Sequence, residues 1–134
     1  KMDDNFKKDI AKEVEIDSTL FISIAARYIF KKNIIDFFKN NLINFHDFRL
    51  PLDAGGAGFS WQILREDKIH NSLVHVVDEG VDSGPIIDYE TTIFPNYCVT
   101  PRDWEIYNLE RYELFYIQFI KKINYRTTSS HLFS

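Results

Sequence analysis

Residues 20–46 read LFISIAARYIFKKNIIDFFKNNLINFH. Residues 20–26 form an apolar run interrupted only by Ser23. That run is too short for a helix and suits a strand buried on both faces. Residues 31–40 set Ile34, Phe37 and Phe38 against Lys31, Lys32, Asp36 and Lys39, the pattern of an amphipathic helix ending near Asn40 and Asn41. Residues 42–46 are a second apolar run. A strand, a helix and a strand within one short stretch predict a βαβ unit, and so an α/β sheet with covered faces.

The flanks extend this pattern. Residues 3–15 are charged but place Phe6, Ile10 and Val14 four apart, which predicts a short amphipathic helix broken by Asp17-Ser18-Thr19. After the second strand, residues 48–58 lack periodicity and hold Pro51 and three of the chain's five glycines, so they read as a loop. Residues 59–66 read as a short helix with Trp61, Ile63 and Leu64 inward and Trp61 as its core anchor. Residues 72–77 and 85–94 read as a third and a fourth strand, joined by a turn over 78–84. Thr100 is a helix N-cap, with Pro101 at the first helical position and Asp103 in the first turn. Ile106, Leu109, Tyr112, Tyr116, Phe119 and Ile123 then form an apolar stripe. Residues 125–134 read as a frayed tail. The expected fold is α/β, with a mostly parallel sheet, helices on both faces and a mixed edge. Residues 1–19 form a helical lead-in and residues 20–124 the core.

Composition narrows the possible functions. The chain has 134 residues, 45% of them hydrophobic, which makes one domain with room for a core. A net charge of −4 provides no electrostatic footprint for non-specific nucleic-acid binding. The single cysteine, Cys98, excludes an internal disulfide framework and a Cys-based zinc cluster. No apolar run approaches the ~18 residues of a membrane span, and the polar start is not a signal peptide. These features fit a cytoplasmic protein. The aromatic last helix (Tyr107, Tyr112, Phe115, Tyr116, Phe119) has more apolar surface than one core contact needs, which suggests a partner face and a homodimer.

In open α/β sheets, ligands bind beyond the carboxyl ends of the strands. There the sequence places Asn44 and His46, on one side of their strand by alternation, and the acidic turn DEGVDSGP at 78–85. Singly, each has a structural reading: a satisfied polar group at a strand end, or an Asp bonding to its own turn. Together, an amide, an imidazole and a carboxylate are what an acyl transfer to nitrogen needs.

Three motifs occur in order: NFHDFRLP at 44–51, DAGGAGFSWQIL at 53–64 and VHVVDEGVDSGPII at 74–87. They resemble the catalytic part of the folate-dependent formyltransferases, and sugar-nucleotide N-formyltransferases are the nearest branch. The resemblance implies a Rossmann-like formyltransferase fold whose N-terminal, phosphate-gripping half is not among these residues. It implies transfer of a formyl group from N10-formyltetrahydrofolate to a primary amine, with an amino sugar nucleotide the expected acceptor and transfer RNA left open. Asn44, His46 and Asp82 fall on the catalytic positions, with protonated His46 and Asn44 holding the oxyanion and Asp82 orienting His46. Arg27, Tyr28, Ile29, Val77, Asp78, Glu79 and Gly80 would bind the folate. Asp47, Arg49, Gly55 and Gly56 would form a mobile substrate loop. Asp47 stands where the family usually has proline, and would add a carboxylate beside His46. No resident metal is implied. Two other readings stay open: an inactive folate-binding module acting by association, and a divalent-metal hydrolase using His46, Asp47, His75, Asp78 and Asp82.

Overall fold

The computed structural model describes residues 2–26, 28–56 and 58–130, with the backbone alone for residues 125–130. Four strands, β1 (Phe21–Ile24), β2 (Leu42–His46), β3 (Ile69–Val76) and β4 (Ile86–Ile93), lie side by side in that order. Four α-helices surround them: α1 (Asp4–Glu13), α2 (Lys32–Phe37), α3 (Gly58–Leu64) and α4 (Pro101–Ser130).

The sheet is α/β and mixed, as the sequence predicts, but the expected proportion is reversed. Only β1 and β2 run parallel; β2/β3 and β3/β4 are antiparallel. The segment between β2 and β3 holds only the short α3, and it returns the chain without crossing over the sheet.

Helices cover both faces. On one face, Ile34, Ile35 and Phe38 pack with Leu42 and Val77, and Met2, Phe6 and Ile10 close over them. The N-terminal helix is therefore packed onto the core rather than standing apart from it. It starts at Asp3, whose carboxylate caps Asn5 and Phe6. On the other face, Ile43, Phe45 and Val74 pack under Phe115 and Phe119 of α4. A third cluster joins Phe94, Cys98 and Trp104, with Phe94 and Trp104 stacked at 4.0 Å.

Several expectations need correcting. β1 is not buried on both faces: Ile22 and Ile24 are exposed, because β1 is an edge strand that α4 does not reach. Trp61 and Leu64 face outward, while Gln62 is the fully buried residue of α3. In α4, Ile106 and Leu109 are exposed. The inward stripe runs through Trp104, Asn108, Tyr112, Phe115 and Phe119. Of the aromatic residues assigned to a partner face, Tyr112, Phe115, Tyr116 and Phe119 pack against the chain's own sheet and Tyr107 against Phe94. α4 also continues to Ser130, so residues 125–130 are helical rather than frayed, and residues 131–134 lie outside the described residues. At its start, Asp103 N–H donates to Thr100 Oγ1 at 3.2 Å, while the Asp103 carboxylate accepts from Val99 and Thr100. The expected cap is therefore formed.

The turn after β3 depends on Gly84. A Cβ there would lie 1.8 Å from the Val76 carbonyl oxygen, which is backbone and cannot swing aside. Gly84→Ala is expected to lower stability by about 1–3 kcal/mol through overpacking. Urea unfolding measures this, and a loss below ~0.5 kcal/mol would show that the turn yields freely.

Candidate active site

The pleat of β2 sets the geometry. Leu42, Asn44 and His46 alternate to the α2 face, and Ile43 and Phe45 to the α4 face. The register pairs Asn44 with His75 and His46 with Leu73, while Ser23 of β1 lies beside Asn44. A row of polar residues thus crosses three strands at one end of the sheet. It forms the wall of a cavity of about 630 Å³, a volume suited to a small-molecule ligand. Ser23, Asn44, His46, His75 and Asp82 line it.

Asp82 reaches this wall from the turn after β3. Its backbone lies in the left-handed region, at φ 49°, a conformation Asp tolerates better than most residues. Asp82 Oδ1 lies 3.7 Å from His46 Nδ1 and 3.6 Å from His75 Nε2. Asp82 Oδ2 accepts from the Gly55 N–H at 2.9 Å. On its other side, His46 Nε2 lies 3.4 Å from the Asp53 carbonyl oxygen. His75 Nδ1 donates to the Val76 carbonyl at 2.8 Å, which leaves Nε2 to accept from Asn44 Nδ2 at 3.3 Å.

Burial pushes the His46 imidazole below the ordinary histidine value, and this outweighs the upward pull of Asp82 and of the Asp53 carbonyl. In the unliganded site, burial thus works against the protonated His46 that the resemblance implies at the intermediate.

Other assignments separate. Tyr28, Ile29, Val77, Asp78 and Gly80 line the cavity. Asp78 accepts from the Gly80 N–H and from Ser83 Oγ, so it braces its own turn. Glu79 turns out to Lys32, 3.4 Å away, and does not belong with the cavity residues. Arg27 lies outside the described residues. Ala25, at the end of β1, lines the cavity at φ 51°, a feature nothing in its sequence context signals.

Of the substrate-loop assignments, Asp47 lines the cavity although its carboxylate bonds away from it, and Arg49 does not line it. Alternation carries Asp47 to the face opposite His46, where its carboxylate accepts from His70, Ser72 and Asn108. Arg49 is ion-paired with Asp67 and lies 3.7 Å from Asp53. Asp53 is buried and also pairs with Arg65. Gly55 and Gly56 do line the cavity, but ion pairs and the Asp82 contact hold their loop in place. The metal reading loses its geometry too, because the Asp47 carboxylate is taken up by His70, Ser72 and Asn108 and Asp78 is held within its own turn. Among the described residues, no three His, Cys, Asp or Glu side chains form a group that could hold a metal ion. His75 is the site residue that motif reading left out of the transfer centre. Its in-register position across from Asn44 becomes visible only once β2 and β3 are paired.

No protein-family profile matches the chain. Methionyl-tRNA formyltransferase of Thermodesulfovibrio yellowstonii is 34% identical over 85 residues, covering 63% of this chain and 27% of that protein. The chain thus spans about a quarter of the length of the curated relatives it matches. Among solved structures, an N-formyltransferase from Helicobacter canadensis, in complex with folinic acid and dTDP-3-aminofucose, superposes with a TM-score of 0.71 at 27% identity. That match covers 89% of this chain and 42% of that one. A formyltransferase from Anoxybacillus kamchatkensis, in complex with tetrahydrofolate and a formamido sugar nucleotide, gives a TM-score of 0.69 at 26% identity, covering 81% and 57%. In sequence and in fold, the chain is a relative of the folate-dependent formyltransferases that spans part of their length.

Proposed function

We propose that this chain carries the transfer centre of an N-formyltransferase, which moves a formyl group from N10-formyltetrahydrofolate to a primary amine. The observation that carries this reading is the meeting of Asn44, His46 and Asp82 on the wall of one cavity, although Asp82 comes from a separate segment. The cavity suits the co-substrate: its walls are mostly apolar, and the buried Ser23 hydroxyl among them has no hydrogen-bond partner among the described residues. When bound, the folate supplies an electrophilic formyl carbon.

The residues divide the work. Asn44 Nδ2 carries two hydrogens and His75 takes one, which leaves the other to donate to a developing oxyanion. Neutral His46 takes up the proton released by the attacking amine. Its Nδ1 faces Asp82, so the imidazolium forms beside a carboxylate that stabilises it. Asp82 thereby orients the ring and balances its charge.

Within the acceptor class, we favour a sugar-nucleotide amine. A chain of net charge −4 offers little attraction to a transfer-RNA backbone. The two structural neighbours described above also hold sugar nucleotides. Mass spectrometry of parallel reactions with a dTDP-amino sugar and with methionyl-tRNA decides between them.

Two tests follow. Folinic acid at about a hundredfold excess over Kd should stabilise the fold by ~2.7 kcal/mol, a Tm rise of roughly 10 °C. An unmoved melting curve at saturating ligand would remove the folate reading. His46→Ala should keep folinic-acid binding and lose turnover by about 10²–10⁴-fold. Because the base form of His46 is the deprotonated one, parent turnover should be flat from the ordinary histidine midpoint upward. It should fall only at lower pH, where the ring takes a proton in the resting state. A rate that rises on acidification would assign His46 the opposite role, and a chain that binds folinic acid without turnover would be an association module.

A further inference from the structure

Asp47 lines the cavity, but its carboxylate is held by groups outside it. Its Oδ1 accepts from His70 Nε2 at 3.0 Å, Ser72 Oγ at 3.1 Å and Asn108 Nδ2 at 2.8 Å, and its Oδ2 lies 2.7 Å from the same Asn108 nitrogen. His70, Ser72 and Asn108 are each at most 2% exposed. Gln62 extends the network into α3: its Nε2 donates to the Ile69 carbonyl at 2.7 Å, and its Oε1 lies 3.1 Å from His70 Nδ1. One carboxylate therefore ties β2, β3 and α4 directly, and α3 through His70.

Burying this many polar groups is costly unless they are bonded. The Asp47 carboxylate is held by three buried residues and is correspondingly restrained, while Asn108 Oδ1 has no partner among the described residues. An apolar residue at position 47 would pack against the same helix without that cost. The network is centred on the residue that follows His46 in the chain. Fixing the Asp47 side chain fixes the peptide plane that joins the two residues, and with it the direction in which the His46 ring leaves the strand.

We propose that Asp47, with Asn108 as its main donor, is a positioning residue that locks the carboxyl end of β2 and so keeps the His46 ring between Asp82 and the Asp53 carbonyl. The proposal rests on His46 being the group that acts in transfer, but its test does not require turnover.

Asn108→Ala retains the Asp47 charge and removes its principal donor. In the full chain, an NMR titration of the His46 ring should then shift upward by about 0.3 pH units or more, toward the ordinary histidine value, as the loosened ring gains water. Ser72→Ala should shift it the same way by less. Far-UV circular dichroism at the titration temperature establishes that each variant is folded. A folded Asn108→Ala chain whose His46 midpoint and ring shifts match the parent would overturn the proposal. Should that variant not fold, a folded Ser72→Ala chain with an unmoved His46 would do the same. A moved His46 in a chain whose parent does not bind folinic acid would uphold the positioning role and remove the formyl-transfer reading.

Discussion

The two-residue period of β2 is the constraint from which the rest of the molecule follows. One face of this five-residue strand supplies Asn44 and His46, and the other supplies Ile43 and Phe45, with Asp47 continuing that face just past the strand end. β3 repeats the division in antiparallel register: Leu73 pairs with His46 and His75 with Asn44, His75 lining the cavity, while His70, Ser72 and Val74 face α4. A slip of one residue would exchange the two sets and bury Asn44 and His46 under the aromatic residues of α4. The register is guarded on both sides, by Phe115 and Phe119 packed on Phe45 and by Asp47 bonded to α4.

At His46, burial competes with charge. The imidazole has a carboxylate 3.7 Å away, which in open water would favour its protonated form. The ring is buried, and desolvation wins. The result is an imidazole pushed toward its neutral form with a counter-charge already beside it. The surrounding loop contributes to this balance. Asp53, ion-paired with two arginines, lends its carbonyl to His46, and the Gly55 amide holds Asp82 in a left-handed backbone conformation. The glycines that look like a hinge in the sequence therefore sit beside a segment anchored by ion pairs, and Gly55 adopts φ 89°, a left-handed conformation from which its N–H reaches the Asp82 carboxylate.

The elements were legible in the sequence where local chemistry alone decides them. The Thr100 cap, the α2 pattern and the apolar run of β2 each depend on neighbours within a few residues. Strand direction was not legible in the same way, because the short segment carrying α3 has the same helical pattern whether or not it crosses the sheet. The site divides along the same line. Asn44, His46 and Asp82 could be located from motif spacing, and their convergence needed only the expected placing of strand ends. The parts of His75, Asp53 and Asn108 could not be, because each is defined by a partner brought close only through sheet pairing or helix docking. Asp47 is legible only in part: its upward pull on His46 follows from adjacency, but it is the smallest of the influences on that ring, and the bonds of its carboxylate to His70, Ser72 and Asn108 become visible only once β3 and α4 are docked.

The same geometry accounts for a polar residue inside the apolar stripe of α4. Trp104, Tyr112, Phe115 and Phe119 recur at helical spacing; Trp104 packs on Phe94 and Cys98 and the others on the sheet, all through large aromatic surfaces. Aromatic stripes of this kind are forgiving, since a helix moved by one turn can present rings to the same strands with modest loss. A hydrogen bond is less forgiving, because the Asp47 carboxylate accepts from Asn108 only when the helix stands at one height and one rotation. The analogous use of a buried polar residue to fix register in coiled coils costs stability and gains uniqueness. Here the uniqueness reaches the site: α4 sets Asp47, Asp47 sets the end of β2, and the end of β2 carries His46. The helix most distant from the cavity in the chain is thus tied to it by a short covalent and hydrogen-bonded path.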